Sequence, residues 1–252
     1  VLAFFLGIWL IGRLINPDLN LDETALLRFV FVGIGLLIVF VVYLATKESK
    51  IWEVGTREVV YMAIGAALYA IFSYLFNGTV FLVPSVSQVA LRPAISIPMF
   101  FGFAFGPAVG FFTGAVGNMF GDALTGFGLS PQWSVGNGLV GMIAGMVMLF
   151  KDKKRSLNTV LIISAVLAAI ATAIFLLNRA IPNMLFYDVD NNIFGDQQIS
   201  WFAGLSAIIG LVLVVVVRFL FRDNINIAAA VTWSMLGTVS YTHLTLPTIY
   251  SG

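Results

Sequence analysis

The fold is decided by the stretch from Arg92 to Asp122, which reads RPAISIPMFFGFAFGPAVGFFTGAVGNMFGD. Glycine recurs within it every four or three residues, at Gly102, Gly106, Gly110, Gly114, Gly117 and Gly121. Glycines with this spacing lie along one face of a helix, where the absence of side chains lets backbones approach closely. Pro107 divides the run into two helices joined by a tight turn, because proline disfavours helix in the residue before it. Gly141 and Gly145 repeat the spacing, so the sequence predicts close helix packing at all of these glycines.

The composition around this stretch is that of a membrane protein. Apolar residues make up 60% of the 252 residues, charged residues only 10%, and the mean hydropathy is +1.01. A lipid-solvated backbone must be satisfied by helices or by a closed barrel. The apolar runs reach about twenty residues, as a spanning helix needs, whereas barrel strands read as alternating segments of about ten. The composition therefore predicts an all-α integral membrane protein.

Charge and cysteine content narrow the classes of function. The net charge is +1, which gives no reason to expect a nucleic-acid partner, and there is no cysteine for a disulfide, a thiol nucleophile or a thiolate metal site. We expect neither a metal nor a cofactor.

Eight helices are predicted from the apolar runs and from their breaks at proline, glycine and charge. They lie at about residues 1–15, 26–46, 58–76, 90–105, 107–121, 134–150, 157–178 and 201–221. We divide the chain into an N-terminal transmembrane hairpin (1–46), a six-helix domain (47–222), the start of a further helix (223–238) and a C-terminal remainder (239–252). The small residues are concentrated in the six-helix domain, as expected of helices that face protein rather than lipid.

The distribution of lysine and arginine predicts the orientation, because cytoplasmic loops collect these residues. One set of loops and helix ends holds Lys47, Lys50, Arg57, Lys151, Lys153, Lys154, Arg155, Arg218 and Arg222. The other set holds Arg13, Arg28, Arg92 and Arg179, with the acids Asp18, Asp22, Glu23, Asp122, Asp188, Asp190 and Asp196. We therefore expect residues 47–57 and 151–155 to be cytoplasmic, and 77–89, 122–133 and 179–200 to face outside.

Both termini carry signs of processing. The chain begins at Val1, and we expect its N-terminus to be truncated. Residues 239–248 read VSYTHLTLPT, which is similar to the translation of a transposon adapter used in sequencing libraries. On this interpretation the natural protein continues beyond about Gly237, His243 is artefactual, and residues 239–252 pack poorly. The alternative is a genuine polar tail.

Polar side chains cluster at the predicted outer helix ends, and they are the candidates for substrate binding. They are Asn77, Gln88, Arg92, Asn118, Asp122, Gln132, Trp133 and Asn137. An ionisable residue at membrane depth is costly and suggests a functional site, with Arg92 and Asp122 the foremost candidates. A salt bridge between these two is the structural alternative.

Alanines in the third predicted helix form a stripe of small residues, Ala63, Ala66, Ala67 and Ala70. The stripe could pack against a neighbouring helix of the same chain, or it could face a separate membrane subunit.

The familiar signatures of enzymes are missing. The sequence contains no GxxxxGK[ST], HExxH or Gly-x-Ser-x-Gly motif, and its single histidine lies in the suspect C-terminal stretch. Asp122 has no second acid beside it in the small-residue core for hydrolysis by an aspartate pair. We predict a non-enzyme; a secondary transporter or channel and a purely structural subunit remain open, and an intramembrane enzyme ranks last.

The run from Arg57 to Gly145 resembles the S component of energy-coupling-factor (ECF) vitamin transporters, of the riboflavin-type and uncharacterised branch. The similarity rests on REVVYMAIGAALYAIFSYL, on GPAVGFFTGAVGN and on WSVGNGLVG in combination. It implies six helices over residues 58–221, a vitamin-like ligand bound outside, and a prokaryotic plasma membrane.

The resemblance also implies partners, namely a membrane T component and two cytoplasmic ATPases. In that family an alanine stripe docks on the T component, which Ala63, Ala66, Ala67 and Ala70 match, and the loop at about residues 77–90 covers the ligand. The N-terminal hairpin and a further helix after Asn224 depart from the family pattern.

Overall fold

The structure is a computed structural model, and it describes residues 23–76, 85–86, 89–90, 92–125, 131–177, 187–188, 193–194 and 201–250. The described residues contain eight α-helices: α1 (Glu23–Thr46), α2 (Thr56–Phe76), α3 (Ser96–Phe105), α4 (Pro107–Thr125), α5 (Pro131–Gly145), α6 (Lys153–Leu177), α7 (Trp201–Leu220) and α8 (Ile225–Tyr250). Short 3₁₀ helices lie at Lys50–Trp52, Pro93–Ile95 and Met146–Leu149. Two antiparallel pairs of two-residue strands join Ser85–Val86 to Val89–Ala90 and Tyr187–Asp188 to Ile193–Phe194.

The predicted all-α membrane fold is confirmed. Helices α2 to α7 are the six helices predicted over residues 58–221, although α3 begins only after the 3₁₀ turn at Pro93–Ile95 and α5 begins at Pro131, three residues earlier than expected. The first predicted helix, at residues 1–15, lies outside the described residues. Within the described part, the helices at Thr56–Phe76, Pro131–Leu149 and Lys153–Ile174 are long and apolar enough to cross a membrane. The chain is therefore a multi-pass membrane protein.

Helix α5 lies at the centre of the bundle, in contact with α1, α3, α4 and α8. Thirteen of its fifteen residues are buried. The outer helices instead expose large apolar side chains. Leu177 of α6 is 83% exposed and Phe219 of α7 is 70% exposed. Apolar side chains on the outside and small residues inside are the arrangement expected of a helical bundle in lipid.

Helices α1 and α8 pack directly on this central helix. Val32 of α1 is fully buried against Val135, Leu139 and Met142 of α5. Ala229 and Trp233 of α8 are buried beside Met146 and Val147 at the end of α5. The division into a hairpin, a six-helix domain and a further helix remains a prediction, but α1 and α8 form one packed body with the six helices.

The C-terminal stretch is only partly as expected. Helix α8 runs through to Tyr250, and Val239 is 1% exposed among Ala168 and Met235, so the expectation of poor packing is wrong for Val239. The side chains of residues 242–250, which include Leu244 and Leu246, lie outside the described residues.

The turn between α3 and α4 contains Gly106, whose φ is +107°. An L side chain rarely adopts this conformation, so glycine is required there. Its N–H donates to the Gly102 carbonyl at 2.9 Å, and a Cβ at Gly106 would lie 3.2 Å from the Ile51 carbonyl oxygen. Gly106 thus closes a turn against the segment that follows α1, and its backbone also approaches α5, since a Cβ at Gly145 would lie 2.7 Å from the Gly106 carbonyl carbon.

Candidate functional site

The glycines of α3, α4 and α5 bring three helices into backbone contact. A Cβ at Gly102 or Gly110 would collide with the Gly141 carbonyl of α5, and one at Gly114 would collide with the Asn137 carbonyl. Gly145 approaches Pro107 at the other end of α5, where a Cβ would lie 2.6 Å from the proline nitrogen. These glycines allow α4 and α5 to approach so closely that short polar side chains can reach across the interface.

The last two glycines of α4 face a different helix. A Cβ at Gly117 would lie 2.9 Å from the Ala66 carbonyl oxygen, and a Cβ at Gly121 would lie 2.8 Å from Ser73 Cβ. Both contacts are with α2. Helix α4 is thus held between α5 on one side and α2 on the other.

A polar cluster of four residues, Asn118, Asp122, Ser134 and Asn137, joins α4 to α5 just beyond Gly114. Asn118 Nδ2 donates to Asp122 Oδ2 at 2.7 Å, one turn further along α4, and to Ser134 Oγ at 3.3 Å on α5. Asn137 Nδ2 donates to Asn118 Oδ1 at 2.6 Å. The cluster lies toward the end of the bundle opposite Lys151, since α5 runs from Pro131 to the basic segment.

Asn118 is the central residue of this cluster, because its carboxamide makes three hydrogen bonds. Asn118 and Asn137 are each 6% exposed, and Ser134 is fully buried. A carboxamide offers two donors and an oxygen with two lone pairs. Asn137 uses one of its donors toward Asn118. The cluster therefore joins α4 to α5 through carboxamide, carboxylate and hydroxyl groups at one largely buried position.

Gln132 lies at the start of α5, two residues before Ser134 of the cluster, and is 7% exposed. Its Oε1 is buried without a hydrogen-bond partner among the described residues. Unpartnered buried acceptors are rare in native structures, because each one loses its hydrogen bonds to water without replacement. Gln132 thus presents an unused buried acceptor on the helix that also carries Ser134 and Asn137.

Arg92 and Asp122 do not form the salt bridge that was the structural alternative. Within the described residues no ion pair joins them at 4.0 Å or less. Arg92 is exposed and occupies the N-cap position of the 3₁₀ turn at Pro93–Ile95. Asp122 is half-buried and is held by Asn118 instead. The two charges are therefore separate, one at the rim and one in the cluster.

The structure brings together three of the eight predicted binding residues, Asn118, Asp122 and Asn137. Gln132 is buried at the start of α5, and Trp133 is half-buried, with its ring centroid 5.9 Å from that of Tyr241. Asn77 and Gln88 lie outside the described residues. Sequence reasoning missed Ser134, although its position three residues before Asn137 places both on one face of α5. Among the described residues, no three His, Cys, Asp or Glu side chains come together to hold a metal ion.

The alanine stripe of α2 is divided between two faces of the helix, and docking of the stripe on a T component remains a prediction. Ala66 and Ala70 are buried, at 4% and 5% exposure, against the α4 glycines. In this structure α4 covers both of them. Ala63 and Ala67 are exposed, beside the exposed side chains of Val60 and Ile64.

A cavity of about 490 Å³ lies on another side of the bundle, between α1, α5, α6 and α8. We call it the apolar groove; it is lined by Ile38, Val42, Leu139, Met142, Ile143, Met146, Leu149, Phe150, Leu167, Trp233, Leu236 and Ser240. It extends toward Phe150, at the Lys151 end of the bundle. A ligand cavity on the opposite side remains a prediction, because residues 77–84, 126–130 and 178–186 lie outside the described residues.

Comparisons with known proteins point to one family. The profile described as "ECF-type riboflavin transporter, S component" matches residues 53–222, which is more than half of the chain. A UPF0397 protein of Vibrio atlanticus (strain LGP32) is 39% identical over 90 residues, which cover 36% of this chain and 47% of that protein. A UPF0397 protein of Streptococcus pneumoniae (strain 70585) is 34% identical over 107 residues, which cover 41% and 53%. The chain spans about half the length of the curated relatives it matches. No solved structure matches it.

Proposed function

The chain belongs to the family of S components of ECF-type riboflavin transporters, and on that premise we propose that it is the substrate-binding membrane subunit of an ECF importer. It captures a vitamin or similar small molecule on the outer side and delivers it inward with a T component and two ATPases. Residues 47–57 and 151–155 then face the cytoplasm, as the distribution of basic residues suggests.

The polar cluster with Gln132 is the observation that supports ligand binding most directly. Asn118, Asn137 and Ser134 are buried where α4 and α5 cross, and a polar group in a membrane bundle is costly unless it has a partner or a use. The cluster offers carboxamide donors and acceptors, one carboxylate and no buried cation. This chemistry suits an uncharged polar heterocycle that both donates and accepts hydrogen bonds.

The exposed half of the alanine stripe supports docking on a partner. Ala63 and Ala67 are four residues apart on α2, so their small side chains leave a shallow furrow along the outer face of the helix. A helix of the T component can approach closely there. The furrow lies on the side of α2 that faces away from α4, so a docked partner need not touch the polar cluster.

The experiment pairs binding with transport, using tritiated riboflavin as the first probe. Binding is measured on the detergent-solubilised chain, and uptake in cells that also contain a T component and its ATPases. We expect Ala63→Trp to reduce uptake to background and to change the riboflavin Kd less than about threefold, because bulk on this face blocks a partner helix without reaching the cluster. Ala45→Trp places the same bulk at an exposed alanine of α1 and should leave both unchanged.

Other outcomes would favour other functions. Equal uptake by wild type and Ala63→Trp would remove α2 from any interface. Loss of both activities in Ala63→Trp would mean that the substitution disturbs the fold rather than a partner interface. Uptake by the chain alone, with neither T component nor ATPase present, would contradict the S-component proposal and favour a self-sufficient secondary transporter or channel.

A further inference from the structure

The apolar groove is built to receive hydrocarbon rather than a water-soluble ligand. Eleven of its twelve lining residues are apolar, and Ser240 is the exception. Its walls reach the outer surface of the bundle, because Leu37 and Val166, the sequence neighbours of the lining residues Ile38 and Leu167, are 59% and 53% exposed. The groove is therefore open to the lipid that surrounds α1 and α6.

Basic residues occur in the segments that adjoin the end of the groove nearest to Phe150. Lys151 follows Phe150 directly, and Lys47 and Lys50 follow α1, whose Val42 lines the groove. The 3₁₀ helix Lys50–Trp52 contacts the 3₁₀ helix Met146–Leu149, so the two basic segments converge. Within the described residues none of these three lysines forms an ion pair.

The net charge of this whole side of the bundle is also positive. Nine basic residues lie on it against five acidic ones, Glu48, Glu53, Glu58, Asp152 and Asp223, an excess of four positive charges. Three of these acids are already adjacent to a basic partner, in the pairs Arg57–Glu58, Arg155–Asp152 and Arg222–Asp223. Clusters of basic residues next to membrane helices attract anionic phospholipid headgroups.

We propose that the apolar groove and the lysines Lys47, Lys50 and Lys151 form a binding site for one anionic glycerophospholipid of the adjacent leaflet. An acyl chain lies in the groove between α1 and α6, and the phosphate lies among the three ammonium groups. The hydrocarbon wall excludes a polar ligand, and the charge selects an anionic over a zwitterionic headgroup. The site is separate from the polar cluster, and it does not depend on the proposed transport function.

The test is lipid binding by the full chain in mild detergent, measured by native mass spectrometry. Dioleoyl phosphatidylglycerol and dioleoyl phosphatidylethanolamine are supplied in equal amounts, so the two lipids differ only in headgroup. Wild type should carry predominantly one phosphatidylglycerol. The triple variant Lys47→Gln, Lys50→Gln, Lys151→Gln should lose this preference by about tenfold or more, since each basic residue near a membrane surface contributes about fivefold.

A second triple variant removes the same charge elsewhere on the same side, with Arg57→Gln, Lys154→Gln and Arg222→Gln. It should keep the preference for phosphatidylglycerol. An equal loss in both triple variants would assign the preference to overall charge and overturn the site.

The groove itself is tested by Ile38→Trp, which fills it from the α1 side at a residue that is 41% exposed and thus tolerant of bulk. This variant should bind phosphatidylglycerol at least about fivefold more weakly, whereas Leu37→Trp, one residue along on the lipid-facing surface, should bind as wild type does. Size-exclusion chromatography confirms that both variants remain folded.

Unchanged binding by Ile38→Trp would overturn the proposal. A disulfide bond between cysteines introduced by Phe4→Cys and Leu236→Cys would also overturn the proposal. Such a bond would mean that the segment preceding α1, rather than a lipid, occupies the groove. The chain contains no cysteine of its own, so such a cross-link would have no background.

Discussion

Two buried oxygen atoms, Thr113 Oγ1 and Gln132 Oε1, have no hydrogen-bond partner among the described residues, and they lie in different surroundings. Thr113 is fully buried at the crossing of α4 with α2, where a Cβ added to Gly65 would meet its hydroxyl. Gln132 is buried at the start of α5, two residues before the polar cluster. An unpartnered oxygen at a helix crossing only lowers stability, whereas one beside a binding site can be satisfied by a ligand.

The substitutions Gln132→Met and Thr113→Val should therefore behave differently. Each replaces a buried unpartnered oxygen by an apolar group of similar size, so each should leave the midpoint of thermal unfolding unchanged or raise it slightly. On the proposed function, only Gln132→Met should weaken binding of the riboflavin probe, by about tenfold, which is the value of one lost hydrogen bond in a buried site. Scanning fluorimetry and equilibrium binding measure the two effects. Unaltered binding by Gln132→Met would exclude its carboxamide from the site.

At the scale of elements, the contact of α4 with α5 determines whether the polar cluster can form. Asn side chains are short, and the bond from Asn137 to Asn118 exists because Gly114 lets the two backbones approach at the Asn137 carbonyl. The glycine spacing was visible in the sequence, and most of the predicted packing glycines lie at such contacts. The partner of each glycine was not visible, because Gly110 and Gly114 face α5 whereas Gly117 and Gly121 face α2.

Gly114→Ala should separate α4 from α5 and break the polar cluster. We expect a loss of about 1–3 kcal/mol in stability, as for other overpacked sites, and a loss of riboflavin binding of tenfold or more. Gly33→Ala in α1 is the matched control, because a Cβ at Gly33 would meet nothing within 4 Å. This control should be neutral or stabilising, since alanine is the better helix former by about 1 kcal/mol. Thermal unfolding in detergent distinguishes the two variants, and equal stability would contradict the role given to Gly114.

At the scale of the whole molecule, the sequence predicted the positions of the helices better than it predicted which helices contact one another. Apolar length and breaks at proline and glycine located the helices, because these features act within a single segment. The faces of α2 could not be assigned in the same way. Ala63 with Ala67 and Ala66 with Ala70 have the same spacing, and only the position of α4 decides that the second pair is buried. Ser134 was missed for the same reason, since its role depends on Asn118 of another helix.

The packing of α8 on α5 predicts that α8 is a structural part of the bundle, although it lies beyond the family match at residues 53–222. Ala229 is fully buried in this contact, and its neighbour Ala230 is only partly buried. Ala229→Leu should lower the stability by about 1–3 kcal/mol, as overpacking does, and Ala230→Leu should change it by less than about 0.5 kcal/mol. Thermal unfolding in detergent measures both. Equal midpoints would mean that α8 is only loosely attached.

The enclosure of α5 by helices from both ends of the chain has a consequence for biogenesis. Of the three described helices that can cross a membrane, α5 is the least apolar and the most enclosed by protein. Helix α5 leaves the ribosome after α1, α3 and α4 but before α8, which is the last of its neighbouring helices to be synthesised. During synthesis the glycine and asparagine face of α5 is thus matched by its earlier neighbours, while the face that α8 will cover still meets lipid or the insertion machinery. Final assembly of the bundle accordingly waits for α8, and a nascent chain arrested before α8 leaves this face of α5 without its protein neighbour.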